Sequence, residues 1–289
     1  MNRILKTIEN LLFVPKCAYC RERLNPIPDK YLLSGSGVFC KNCVEEWNMT
    51  LAQVCPACFQ RAGRCFCSDS FIQKRQKNIP SLFFYENDKN NLSKRIIHSI
   101  KKRKSSSLFD LLALSLAMQI EEMLSKNEIL PSDCIFTYIP RTRKSYLKFG
   151  FDQSKLLSER IAKHFNAVAL PLFIKVFGRE QKHLGQKERK ENAQSSICLN
   201  FALFNFPRRY KVSRLEEAIG DKPIVIVDDI ITSGASLGRG VELLEKIKAK
   251  SNANTDANTD ENTAVKSKIF VSCVARASFD GTLLKNLDF

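Results

Sequence analysis

The chain has 289 residues, of which 44% are apolar, and a formal net charge of +16 at pH 7. That length and composition suit one full α/β domain with a smaller module beside it, and they exclude a chain without a buried core. The charge favours a polyanion or an anionic substrate as partner without naming one, and it is equally met by a solvated basic surface.

Near the start, Ile4, Ile8, Leu11 and Leu12 recur at helical spacing. Lys6 and Glu9 interrupt the apolar pattern and no small-residue cleavage site follows, so a short packed helix is expected and not a signal peptide. Other apolar stretches, such as Leu111 to Ala117, fall well short of a bilayer span. The expectation is a cytoplasmic protein with no membrane insertion.

Eight of the eleven cysteines lie in the first quarter of the chain, as C-x2-C at Cys17/Cys20, Cys40/Cys43 and Cys55/Cys58, then C-x-C at Cys65/Cys67. Without a secretion signal, metal binding is the better reading of such a set. Eight thiolates match two closed tetrahedral zinc sites, and sites with four thiolates are structural because no position is left for substrate or water. The most local pairing joins Cys17, Cys20, Cys40 and Cys43 in one site and Cys55, Cys58, Cys65 and Cys67 in the other; a cross-braced pairing would use the same ligands. Lys16, Arg21, Arg23, Arg61 and Arg64 flank the knuckles and offer either a nucleic-acid surface or a solvated rim. Cys134, Cys198 and Cys273 stand alone in apolar surroundings and are expected in the core.

Residues 1–70 are therefore a zinc-binding module, a double zinc ribbon, followed by a basic connecting segment at 71–104. From Gln73 to Lys104, ten Lys and Arg stand against Glu86 and Asp88, a balance of +8 that is half the net charge. Lys94, Arg95, Lys101, Lys102, Arg103 and Lys104 are the candidate nucleic-acid contacts. Phe83, Phe84 and Tyr85 precede them: aromatics beside cations suit single-stranded nucleic acid, whereas a buried edge strand is the reading their apolar pattern favours.

From 105 to 289 helices and strands alternate. Residues 108–126 read as a long helix, 134–140 as a strand stopped by Pro140, 153–165 as an amphipathic helix, 224–229 as a buried strand, 236–250 as a helix and 268–277 as a strand. Near-continuous apolar strands between helices predict a parallel sheet covered on both faces. The polar stretch 177–196 suggests a mobile loop. The ANTD tandem at 251–264 offers almost no apolar surface to offset the entropy of ordering it, so a disordered insertion is expected there.

The sharpest signal is IVIVDDIITSGASL, residues 224–237. Asp228 and Asp229 sit at a strand's C-terminal end, where open α/β sheets bind ligands, and adjacent acids there call for vicinal hydroxyls or a cation. Thr232, Ser233, Gly234, Ala235 and Ser236 supply small side chains, hydroxyls and amides at a helix N-terminus, a place for a phosphate. A plain helix cap after a buried strand would not need the two acids.

These residues resemble the phosphoribosyl pyrophosphate (PRPP) motif of type I phosphoribosyltransferases, in which the acids bind the ribose hydroxyls and the Thr232–Ser236 loop the 5-phosphate. That resemblance implies a type I phosphoribosyltransferase-like sheet with helices on both faces and Mg2+ accompanying PRPP. Arg141, Arg143 and Lys144, after the 134–140 strand, are the candidate pyrophosphate cations, or a solvated rim. Gln181 to Arg189 is a candidate flexible loop closing over the site.

The order of zinc knuckles, basic stretch and phosphoribosyltransferase-like domain resembles the ComF family of competence proteins over nearly the whole chain. SLFFYENDKNNLSKRIIHSIKKRK is similar to the family's segment ending in an apolar-His-x-x-Lys pattern, here His98 and Lys101. TYIPRTRKSYLKFGFDQSKLLSERIA is similar to its Pro-rich turn and Arg-Gly-Phe-Asn-Gln, and REQKHLGQKERKENAQSSI keeps Gln181, Leu184, Arg189 and Asn192 at the family's spacing. The chain departs from it at Phe149-Gly150-Phe151-Asp152, where a cation is lost and an amide becomes an acid; Lys148 lies next to the lost cation. The resemblance implies PRPP binding, handling of single-stranded DNA during natural transformation, and other DNA-uptake proteins as partners. An active phosphoribosyltransferase of nucleotide salvage and an inactive scaffold binding nucleic acid are the alternatives.

Overall fold

The computed structural model describes residues 16–24, 37–67, 72, 75–86, 91–176, 191, 193, 195–201, 211–255 and 268–277. The expected N-terminal helix, the candidate loop residues Gln181 and Arg189, and residues 256–264 of the ANTD segment lie outside these.

In the cysteine-rich region, α1 spans Lys41–Ala52 and a 3-10 turn spans Ala62–Arg64. There follow β1 (Ser81–Tyr85), α2 (Leu92–Lys102), α3 (Ser106–Ser125) and β2 (Ile135–Tyr138). Next come α4 (Arg143–Phe149), α5 (Gln153–His164), β3 (Val168–Ala169), β4 (Phe173–Lys175) and β5 (Ile197–Leu199). The chain continues through α6 (Lys211–Ile219), β6 (Ile224–Ile231), α7 (Ala235–Thr255) and β7 (Ile269–Ala277).

Five strands form one sheet in the order β1-β7-β6-β2-β3, with every neighbouring pair parallel. The strands β4 and β5 form a separate antiparallel pair. Alternation along β6 divides the core in two, as the period of a strand requires. Val225 and Val227 pack with residues of α2, α3 and α5, whereas Ile224 and Ile226 pack with residues of α6 and α7. Helices therefore cover both faces, as the apolar strands predicted.

From β2 the chain turns outward through α5 to β3, and from β6 it turns the opposite way through α7 to β7. The crevice between the C-terminal ends of β2 and β6 is thus a topological switch point, where such sheets bind ligands.

Two expectations change, and the favoured edge-strand reading holds. Residues 71–104 are not only a basic connector, because they supply β1 to the sheet and α2 to its cover. Phe83 and Phe84 are buried at 1% and 3% exposure, so this aromatic run is the edge strand and not a stacking platform. Helix α7 runs to Thr255, five residues past the expected end at Lys250. Ser251 to Thr255, expected to begin a disordered insertion, are therefore helical, and no Gly or Pro among them stops the helix as it enters the first ANTD. Of the solitary cysteines, Cys134 and Cys273 are in the core, while Cys198 on β5 is half-buried.

The cysteine-rich region docks on the β1 edge. Trp47 of α1 is fully buried, its ring 5.4 Å from Phe39 and 6.1 Å from Phe83. Covering this edge also removes a row of backbone groups from solvent, which blunts edge-to-edge association.

Candidate functional site

The two cysteine clusters are built from a repeated knuckle. In the first, the Cys17 amide donates to Glu22 O and the Arg21 amide to Cys17 O. The second repeats both bonds, with Cys55 to Gln60 O and Phe59 to Cys55 O. Each is closed by an antiparallel bridge, Lys16 to Arg23 and Val54 to Arg61. In both the residue after the second cysteine, Arg21 or Phe59, has positive φ, 70° and 57°, to turn the chain back. The clusters differ in their second halves: Cys40 and Cys43 come from the start of α1, and Cys65 and Cys67 from the extended chain after the 3-10 turn.

The local pairing is the one found: Cys17, Cys20, Cys40 and Cys43 converge, as do Cys55, Cys58, Cys65 and Cys67, with the sulfurs of each set within 4.8 Å of one another. Four sulfurs bound at about 2.3 Å around one tetrahedral ion would be about 3.8 Å apart, so either set could hold a metal ion.

The second cluster is tied to the sheet. Arg276 on β7, 3% exposed, donates from Nη1 to the carbonyls of Ala62 and Cys65. Nothing in the spacing of the cysteines marks this contact.

At the switch point, β6 delivers Asp228 and Asp229 against the N-terminus of α5. Ser154 Oγ donates to Asp228 Oδ1 at 3.0 Å, and Gln153 Nε2 donates to Asp229 Oδ2 at 3.2 Å. The Asp229 amide also donates to Asp228 Oδ1 at 2.8 Å. Burial, together with the adjacent Asp229 carboxylate, pushes the Asp228 carboxyl well above its ordinary range. Asp229 is itself buried, and Lys101 from the last turn of α2 reaches its Oδ2 at 3.1 Å. Lys101 thus faces the acid pair, while Lys102, Arg103 and Lys104 are exposed. Upstream on α2, Lys94 is half-buried and Arg95 places its guanidinium 4.7 Å from the centre of the Tyr19 ring.

Beyond β6, Thr232 to Gly234 form the turn into α7, with Gly234 at φ 72°, a conformation that favours glycine. The Gly238 amide donates to Gly234 O at 2.8 Å, closing the helix's first turn. Ala235 and Ser236 open the helix. Leading amides of a helix have no intrahelical acceptor and carry the positive end of its dipole, so this turn is shaped for an anion. The helix packs closely here: a Cβ at Gly240 would meet Ile139 after β2 at 3.1 Å, Phe173 of β4 at 3.2 Å and Ile226 of β6 at 3.4 Å.

The loop after β2 is drawn inward. Arg141 donates to Lys101 O from Nη2 at 2.6 Å and to Gln153 Oε1 from Nε, and its guanidinium lies 5.0 Å and 5.3 Å from the Phe149 and Phe151 ring centres. Its Nη1 is buried with no hydrogen-bond partner among the described residues. Arg143 and Lys144 are exposed on α4. Asp152 caps α5, accepting from the amides of Ser154 and Lys155 at 3.0 and 3.2 Å, and its other oxygen accepts from the Arg141 amide at 2.6 Å. The two departures noted in the sequence thus have local roles: Phe149 packs under Arg141, and Asp152 caps a helix.

Lys175, at the end of β4, is half-buried; burial pushes its ammonium below the ordinary range, against the pull of Asp228, Asp229 and Asp152. It belongs to no motif in the sequence. Gln153 and Ser154 were visible only as part of a longer similar stretch.

Residues 153–274 match the family model of the phosphoribosyl transferase domain. The phosphoribosyltransferase domain so matched contains α5, β6 and the start of α7, which hold the acid pair and the Thr232–Gly234 turn. Its sheet is completed from outside the match by β1 and β2, and Lys101 and Arg141 reach it from there. No curated protein matches the chain. None of the described helices is long and apolar enough to cross a membrane.

Proposed function

We propose that this phosphoribosyltransferase-fold protein binds PRPP with Mg2+ and handles single-stranded DNA in the cytoplasm during natural transformation. The observation that carries the reading is the pair Asp228 and Asp229 near the end of the central strand, followed after Ile230 and Ile231 by a Thr-Ser-Gly turn into α7. The acids accept the ribose hydroxyls; Thr232, Ser233, Gly234, Ala235 and Ser236 receive the 5-phosphate. Arg141, whose Nη1 is a buried donor in want of an acceptor, supports a pyrophosphate contact there, with Arg143 and Lys144 at the rim. Zinc in the two cysteine clusters is structural, since all four positions of each are thiolates. The exposed cations Lys102, Arg103 and Lys104 support the nucleic-acid half of the reading.

Calorimetric titration of PRPP and Mg2+ into the full chain should give saturable heat that Asp228→Ala removes. Single-stranded DNA should bind with a steep salt dependence. Absence of heat with PRPP overturns the ligand assignment, and normal transformation by cells carrying Asp228→Ala overturns its link to DNA uptake.

The alternative of an active salvage phosphoribosyltransferase draws on Lys175, a half-buried cation within electrostatic reach of the acid pair, where a departing pyrophosphate would need one. Pyrophosphate release from PRPP with one of a panel of nucleobases would establish it, and silence across the panel would dispose of it.

A further inference from the structure

Lys101 belongs both to the ribose site and to the basic end of α2. Its ammonium is 3.1 Å from Asp229 Oδ2, and its backbone carbonyl accepts from Arg141 Nη2 at 2.6 Å. Arg141 Nε in turn reaches Gln153 Oε1, and Gln153 Nε2 returns to Asp229 Oδ2 at 3.2 Å. Four residues thereby close a ring joining the last turn of α2, the loop after β2, the start of α5 and the end of β6. The Asp229 side chain is 7% exposed but that of Lys101 is 38% exposed, so the pair opens to solvent from the lysine side. Lys102, Arg103 and Lys104 follow at once, all exposed.

An ammonium and a ribose are competing occupants of Asp229. Asp229 Oδ2 takes both Lys101 and Gln153, so a ribose hydroxyl that bonds this oxygen takes the place of one of them, and a buried carboxylate stripped of one partner needs another in its place. The Arg141 bond to the Lys101 carbonyl holds the backbone of α2 to the site while leaving the lysine side chain free to swing. A rotamer change therefore suffices to move the charge from the acid pair to the surface.

We propose that Lys101 couples the ribose site to single-stranded DNA bound at the end of α2. Ribose hydroxyls displace its ammonium from Asp229, and the freed ammonium joins Lys102, Arg103 and Lys104 on the nucleic-acid phosphates. The inference rests on the proposed function, in which both ligands bind. The coupling is positive, and by linkage it is reciprocal: DNA that draws Lys101 outward leaves Asp229 to the ribose.

The test is the affinity of the full-length, zinc-loaded protein for a fluorescent single-stranded oligonucleotide at one fixed salt concentration, with and without saturating PRPP and Mg2+. Wild type should bind DNA about five-fold or more tightly when PRPP is present, within the usual range of allosteric coupling. Lys101→Met should bind each ligand yet show the same DNA affinity in both conditions. Asp229→Asn, in which the lysine loses its partner, should bind DNA without PRPP as tightly as wild type does with it. Equal DNA affinities in wild type, with both ligands shown to bind separately, overturn the coupling and leave the function reading intact. Coupling that survives in Lys101→Met, or DNA binding weakened in Asp229→Asn, overturns the route through Lys101. Failure of either ligand to bind wild type defeats the function reading itself, and the coupling with it.

Discussion

Arg276, on a strand of the sheet, donates from Nη1 to the backbone carbonyl of Cys65, a member of the second cysteine cluster, at 2.8 Å. The contact crosses more than two hundred residues of sequence and joins the second cysteine cluster to the strand beside β6. Replacing Arg276 with Met would leave the carbonyls of Ala62 and Cys65 buried without this donor. The cost should be about 2 kcal/mol or more in chemical denaturation. Metal release to a colorimetric chelator should also accelerate from the second cluster and not from the first, giving a fast phase of half the metal.

Asp228 is a carboxyl pushed above its ordinary range, first by burial and then by Asp229. A raised value means that the folded chain keeps a proton the unfolded chain releases. Its contribution to stability is therefore complete below the ordinary aspartate value of about 4 and is lost as pH rises through the folded value. Asp228→Asn should gain stability relative to wild type across that window, by about 1.4 kcal/mol for each unit by which the value is raised. Urea denaturation of both proteins at a series of pH values measures this, and a constant difference would refute it. PRPP binding, which calls on the ionised carboxylate, should tighten in wild type over the same window.

Asp152 accepts from two amides of α5 and from the Arg141 amide. Asp152→Ala should cost about 2 kcal/mol, combining a lost helix cap with an unpaired buried amide. Asp152→Asn retains an oxygen for the cap but presents an NH2 group to the Arg141 amide, so it should cost about 1 kcal/mol, less than Asp152→Ala. Thermal melts of the two variants should separate these outcomes clearly.

Thiol labelling should sort the eleven cysteines into three groups. With zinc bound, the eight clustered thiolates are occupied. Burial pushes Cys134 up to about 11 and Cys273 up to about 12, so neither presents a thiolate near neutral pH. Cys198, half-buried on β5, should react first. Mass spectrometry after a brief pulse of iodoacetamide should show one modification in the loaded protein and up to nine after a chelator. Rapid modification of Cys17 or Cys55 in the loaded protein would contradict the assignment of the clusters.

The sequence alone determined whatever depends on near neighbours in the chain. The apolar run Val225 to Val227 makes a buried strand wherever it is placed. Asp228 to Ser236 keeps its acids and hydroxyls together because strand, turn and helix start are contiguous. The C-x2-C knuckles aim paired sulfurs locally, by the same backbone bonds twice over.

Tertiary structure decided what those pieces face. Only the assembled fold could show that the strand of Phe83 and Phe84 pairs with β7 and lies under the cysteine-rich region, that Arg276 reaches Cys65, and that Lys101, 128 positions before Asp229, is the cation at its side. Cation spacing reads identically for a lysine turned to solvent and one turned to a buried acid. Packing chooses between them, because an acid pair at a strand end recruits the nearest positive charge that the fold brings within reach.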